Sequence, residues 1–312
     1  KTGGVLLISG NSISLGGVVG ENAGNWAEVG NYGYTGSEVV SFVVTDNTIS
    51  TVGNHRDYGK TTAHFVGGCE ITRNSGDVID SITFSGNTCV GAGGLTMGTS
   101  GNISANTVNV KGNNIAWSKS SSITIKEVRD AVTVTGNTVT NGTYEDVFIT
   151  GYAGEKTASV YVSGNHTSNG RRKSSGSTHP SFSISEADNV FFHDNFTGSD
   201  AIDLRVASTT GFVAGETITG GTSASTATVA SVWNYGSNLY LGLHTTASAS
   251  FTPGETITGG DSASTTTVTS EHDAQSNIAY LNNITTCWRD NNIERNSKGY
   301  SIGTITNDNT TI

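Results

Sequence analysis

The sequence predicts an all-β protein wound as a solenoid of stacked parallel strands. Three observations carry this: a strand- and turn-forming composition, a short repeated unit headed by asparagine, and a repeat period in the twenties. The 312 residues include 41 Gly but only 9 Leu, 2 Pro and 1 Met, so helix formers are scarce. Charged residues make up 13%, against an ordinary share of about 25%. The core must then be Val, Ile, Ala and Thr, with Asn and Ser as hydrogen-bonding neighbours.

The repeated unit is a short alternating run of β-branched or aromatic residues, then Gly or Asp, then Asn, then a small or β-branched pair. It reads LLISGNSI ending at Ile13, FVVTDNTI at Ile49, ITFSGNTC at Cys89, VNVKGNNI at Ile115 and VTVTGNTV at Val139. It returns as VYVSGNHT at Thr167, VFFHDNFT at Thr197, CWRDNNIE at Glu294 and TITNDNTT at Thr311. Its heads are Asn11, Asn47, Asn87, Asn113, Asn137, Asn165, Asn195, Asn291 and Asn309, with gaps of 26, 24, 28 and 30 residues from Asn87 to Asn195. Such a period with strand-sized units is the mark of a solenoid, and the scarcity of Leu excludes leucine-rich repeats. Stacked parallel coils place equivalent residues about 4.8 Å apart. A corner Asn can then bond its amide up and down the stack, and Asn and Gly tolerate φ > 0 at the corner, which Val or Thr would not.

Between the solenoid stretches lies a different repeat. GFVAGETITGGTSASTATV (211–229) returns as SFTPGETITGGDSASTTTV (250–268), so that Glu216 matches Glu255 and Gly220-Gly221 match Gly259-Gly260. The expected organisation is a solenoid over 1–205, a tandem of two small β modules inserted over 206–272, and the solenoid resumed over 273–312.

The net charge of −10 and the lack of a basic stripe beyond Arg171-Arg172-Lys173 argue against nucleic acid as a partner. No apolar run approaches the roughly 20 residues of a membrane-spanning helix. The chain starts at Lys1 with no signal-peptide pattern, which reads as a processed or trimmed chain. Cys69, Cys89 and Cys287 form no C-x-x-C pair and read as small buried hydrophobes, not disulfides or zinc ligands. Nucleotide-loop, zinc-protease and nucleophile-elbow motifs are missing, so neither a cofactor nor a metal is expected.

The β-run, GN or DN, β-run pattern over 1–205 and 277–312 resembles the right-handed parallel β-helix of polysaccharide-processing proteins and phage tailspikes. The GETITGG repeat resembles repeats of phage tail and virion structural proteins. The likeness implies a virion tail protein, typically a homotrimer, that binds a bacterial surface polysaccharide and depolymerises it. A non-catalytic glycan-binding fibre or adhesin is the rival. A secreted polysaccharide lyase is the third reading, for which no Lys/Arg catalytic cluster is found.

Glycoside cleavage needs two carboxylates on one accessible face. Acids recur ten and seven residues before the repeat Asn (Asp77 and Asp80, Glu127 and Asp130, Glu155, Asp188), which marks them first as turn formers. Glu145, Asp146, Asp200 and Asp203 fall elsewhere in the coil, at the starts of EDVFITG and DAIDLRV, and are the catalytic candidates. Neighbouring Glu145 and Asp146 point to opposite faces of a strand, so at most one serves a given groove. His55, Arg56, Asp57 and Tyr58 combine aromatic, cation and carboxylate in one loop, the mixture that sugar recognition uses. Arg171 and Arg172, in the long polar excursion 168–180, are the candidates for meeting an anionic saccharide.

Overall fold

The computed structural model describes residues 4–16, 25–31, 39–52, 67–73, 78–97, 104–118, 121–140, 142, 144–151, 155–168, 180–198, 201–213, 215–235, 238–245, 250–273, 278–295 and 300–310. It is all-β, with no helix among these residues. A fifteen-stranded sheet and an eight-stranded sheet, both parallel, make up the long stack, and six further strands close into a small barrel.

The chain climbs the stack by visiting three walls in turn. The first wall runs through Gly4–Ser9, Val39–Thr45, Ile79–Ser85, Ala105–Lys111, Val128–Thr135 and Thr157–Ser163. The eight-stranded sheet is the second wall, from Ser12–Gly16 to Ile293–Arg295. The third runs from Asn25–Asn31 through Gly67–Arg73, Leu95–Met97, Ile123–Lys126 and Val147–Thr150. Strand Phe182–His193 joins two walls: its first half pairs with Val147–Thr150 and its second with Thr157–Ser163. Ala279–Asp290 repeats this path one rung on. The walls therefore belong to one curled sheet system around a shared core.

Asparagine sets the corner between the first and second walls. Nδ2 of Asn11, Asn47, Asn87, Asn113, Asn137 and Asn165 donates to Oδ1 of the next corner Asn at 2.9–3.0 Å. The backbone N–H of the same residue reaches that same oxygen, as at Asn113, 3.0 Å from Asn137 Oδ1. A second Nδ2 bond goes to a carbonyl of the preceding rung, such as Val110 for Asn137. Asn47 to Asn195 are buried, and this bonding is what makes a buried amide tolerable.

The last corner corrects the sequence reading by one residue. Asn195 bonds to Asn292, not Asn291. The position before each ladder Asn takes φ > 0, at Gly86, Gly112, Gly136, Gly164 and Asp194, and Asn291 occupies it with φ 48. Asn309 is no ladder member either: it pairs with Trp288 inside the strand Ile305–Thr310. In the Asn291-Asn292 pair the first supplies the left-handed bend and the second the ladder amide.

In-register stacking then builds the core column by column. Phe42, Ile82, Val108, Val132, Val160, Val190 and Cys287 form one column; Val44, Phe84, Val110, Val134, Val162 and Phe192 form another. Cys69, Cys89 and Cys287 are free and buried, and burial pushes each thiol up to about 12. At the far end the second column turns polar. Arg289 Nη2 donates to Asp308 and to Thr310 Oγ1 (2.8 Å), with the guanidinium 4.6 Å from the Tyr300 ring.

The barrel order is Ala201–Val206, Asn238–Thr245, Thr226–Tyr235, Thr217–Gly220, Thr256–Gly259 and Thr265–Asp273, the last closing onto the first. The barrel thus starts at Ala201, upstream of the boundary expected at 206. The two GETITGG repeats share this one barrel instead of making two tandem modules. Each repeat's glutamate crosses into the other's Gly-Gly turn. Glu216 Oε2 accepts Ser262 N–H (3.1 Å) and Oγ–H (2.8 Å); Glu255 accepts the N–H groups of Thr222 and Ser223 and the Ser223 hydroxyl, each at 2.9 Å. The Gly at these turns is required by space: a Cβ on Gly259 would lie 2.3 Å from Glu216 Oε2, and one on Gly220 2.7 Å from Glu255 Oε2.

Candidate functional site

Alternation along a strand sends the residues five and three before each ladder Asn inward and the residue four before it outward. On the first wall that outward column is Leu7, Val43, Thr83, Asn109 and Thr133, and then Tyr161, Phe191 and Trp288. Parallel register forces three consecutive aromatics to stack. Tyr161 and Phe191 have ring centroids 4.7 Å apart and planes 4° from parallel; Phe191 and Trp288 have 4.5 Å and 2°. Tyr161 is 40% and Trp288 37% exposed. A ridge of three rings therefore stands out of a face that around it is mostly polar, rich in Ser, Thr and Asn.

Polar columns flank the ridge. On one side run Ser159, Asn189 and Thr286; on the other, Ser163, His193 and Asp290. Beyond the second column, His193 Nδ1–H donates to Asp194 Oδ2 (2.8 Å) and Asn291 Nδ2–H to Asp194 Oδ1. These bonds, His193 first, hold the Asp194 carboxyl below the ordinary Asp value. On the opposite flank Lys156 Nζ donates to Thr285 Oγ1 (3.1 Å), whose hydroxyl donates to Asp188 Oδ1 (3.1 Å). Around the asparagine corner, His166 and Phe196 lie 4.4 Å apart, and Ile293, 59% exposed, continues their column.

Rings set among hydroxyls, amides and carboxylates suit a ligand with apolar C–H patches and many hydroxyls. Ring surface takes the patches, while the polar columns accept and donate to the hydroxyls. The ridge spans three rungs, or about 10 Å at strand spacing, the reach of a short oligomer.

Among the described residues, none of those singled out for chemistry from the sequence joins this ridge. Glu145 is half-buried and accepts Ser121 Oγ–H at 2.8 Å. Asp146 is buried, 1% exposed. Its Oδ1 would lie 2.8 Å from a Cβ on Gly142, a spot 3.2 and 3.4 Å from the hydroxyls of Ser122 and Ser118. Those hydroxyls are 2.5 Å from each other. Adjacent residues have turned opposite ways, as a strand start demands, and Asp146 packs into the interior, out of a polymer's reach. Asp203 lies in the barrel strand Ala201–Val206, opposite Gly242 and His272, and not on a wall of the stack. Asp200, the loop His55, Arg56, Asp57 and Tyr58, and Arg171 and Arg172 lie outside the described residues.

Of the recurring acids, Glu127 occupies a bend with φ 61 and accepts Ser104 Oγ–H (3.2 Å), whereas Asp80, Asp130 and Asp188 lie inside the strands Ile79–Ser85, Val128–Thr135 and Phe182–His193, Asp80 accepting Asn106 Nδ2–H (3.2 Å). Asp77 is outside the described residues. Among the described residues no group of three or more His, Cys, Asp or Glu is arranged to hold a metal.

The ridge was readable in principle: Tyr161, Phe191 and Trp288 each stand four residues before a ladder Asn. With the last head taken as Asn291, the third ring falls out of register and the pattern disappears. Set against known protein families, curated proteins and solved structures, the chain matches none.

Proposed function

We propose that the stack is a right-handed parallel β-helix of the tailspike kind, with the barrel as an insert, that attaches to a bacterial surface polysaccharide. The observation that carries the reading is the Tyr161–Phe191–Trp288 ridge on a Ser/Thr/Asn face. Attachment is the favoured half of the tailspike likeness. Cleavage would need two carboxylates about 5–9.5 Å apart and open to the polymer, which Glu145 and the buried Asp146 do not supply. The proposed setting is a phage tail, with the chain acting as a homotrimer; a secreted adhesin would use the same face.

The test is affinity for purified surface polysaccharides of candidate hosts, compared between the native chain and Trp288→Ala. Loss of one ring is expected to weaken binding about tenfold, or about 1.4 kcal/mol, while loss of the stack on Phe191 lowers stability by about 0.5–1.5 kcal/mol and leaves the chain folded. Equal affinity of the two proteins would remove the ridge from the reading. Release of new reducing ends during incubation would instead favour a depolymerase, and a gain of ultraviolet absorbance from unsaturated products a lyase.

A further inference from the structure

We infer that the ridge selects uncharged or amino-bearing polysaccharides and discriminates against acidic ones such as those rich in uronic acids. This rests on the ridge being the glycan site and adds the charge class of the glycan. The inference follows from which charges face a chain lying along the rings. On the asparagine side, Asp290 and Asp194 are both exposed, and among the described residues His193 is the one basic group between them. On the opposite side, Lys156 and Asp188 meet at a single hydroxyl, that of Thr285, so the cation is locally balanced. Arg129, one rung before Tyr161, turns its Nη1 back to Asn106 Oδ1 (3.2 Å), towards the preceding rung. Lys111 stands a further rung away, in the column that leads through Thr135 and Ser163 to His193.

Carboxylates beside aromatic rings are matched to hydroxyls. An ionised carboxylate only accepts, through two oxygens; a protonated amine only donates, and a vicinal diol offers it two O–H donors. A polymer with a carboxylate in each repeat would bring like charge against Asp194 and Asp290. That repulsion weakens as salt rises, because both residues are exposed.

The experiment uses the native full chain and one polysaccharide in two forms: a uronate-containing capsule, and the same capsule with its carboxyl groups reduced to alcohols. The reduced form is expected to bind about tenfold more tightly at low salt, with the difference shrinking as salt rises. In Asp194→Asn/Asp290→Asn the preference should narrow, chiefly through tighter binding of the acidic form. Trp288→Ala should weaken both forms. If the acidic form binds the native chain as tightly as the reduced one, or if the double variant keeps the full preference, the charge inference fails while the ridge stands. If neither form binds, or binding ignores Trp288, the ridge reading fails and takes the inference with it.

Discussion

A ladder asparagine does three things at once, and no other residue can do all three. Asn137 accepts from the N–H and Nδ2 of Asn113 and donates Nδ2 to Asn165 Oδ1 and to the Val110 carbonyl. Every amide in the file points the same way, so each bond polarises the next. Aspartate would lose both donors and set oxygen against oxygen at Asn165. Alanine would strand two buried donors of Asn113, at about 1–3 kcal/mol for each unsatisfied group. We therefore predict that Asn137→Ala lowers stability by about 3–5 kcal/mol, read from the denaturant midpoint. Gly136→Asn, beside it at φ 61 with open space around its Cβ, should cost far less. A ladder loss smaller than that of the Gly136 variant would refute this account of the corner.

At the scale of elements, the barrel is tied by two exchanged carboxylates, and that makes it acid-sensitive. Burial pushes the Glu216 carboxyl upward, but hydrogen bonds from the Val213 and Ser262 N–H groups, the Ser262 hydroxyl and the Asp261 N–H outweigh it. Glu255 is likewise lowered: burial raises it, and the N–H groups of Ser223, Thr222 and Thr252 and the Ser223 hydroxyl prevail. A folded value below the unfolded one means the stabilisation is complete above the ordinary Glu value, about 4.3, and is lost as pH falls through the folded value. The barrel should therefore loosen below about pH 4. Glu216→Gln should lower its stability at neutral pH by about 1.5–3 kcal/mol and flatten the acid transition, followed by hydrogen exchange of Thr217–Gly220 and Thr256–Gly259. An unchanged acid profile in the variant would sink the assignment.

The sequence showed the pairing of Glu216 with Glu255 as copies, because identical turns repeat. It could not show that each serves the other's turn, since exchange between repeats leaves no trace in either repeat. The same limit applied to Asp146: a Glu-Asp pair at a strand start reads as one inward and one outward residue, but not which is which. The file of asparagines was legible because every rung repeats the same local chemistry. The ridge was hidden because its three rings follow five polar or aliphatic residues in the same column, so no repeat of aromatic residues exists to be seen.

For the whole molecule, the ladder explains how a barrel can interrupt the stack. Asn195 bonds directly to Asn292 across 97 residues of chain, and strand Phe182–His193 stays in register with Ala279–Asp290 through ten paired positions. An excursion that leaves and re-enters at one corner costs the stack only loop-closure entropy, which grows slowly with length. The two ends of the described stack are not alike. At one, Arg289, Asp308 and Thr310 replace apolar core residues with a bonded polar group. At the other, Gly4–Ser9 pairs with Val39–Thr45 alone among the described strands and shows Val5, Leu6 and Leu7 at 64%, 37% and 61% exposure. An apolar strand whose outer edge meets no other described strand is a template for another strand. Leu7 lies in the outward column with Val43, so Leu7→Lys changes the edge without opening the core. We predict that this substitution lowers concentration-dependent association, measured as weight-average mass in sedimentation equilibrium, while the melting temperature shifts by less than about 2 °C. Mass unchanged by the lysine would show that association, where it occurs, is carried by another surface.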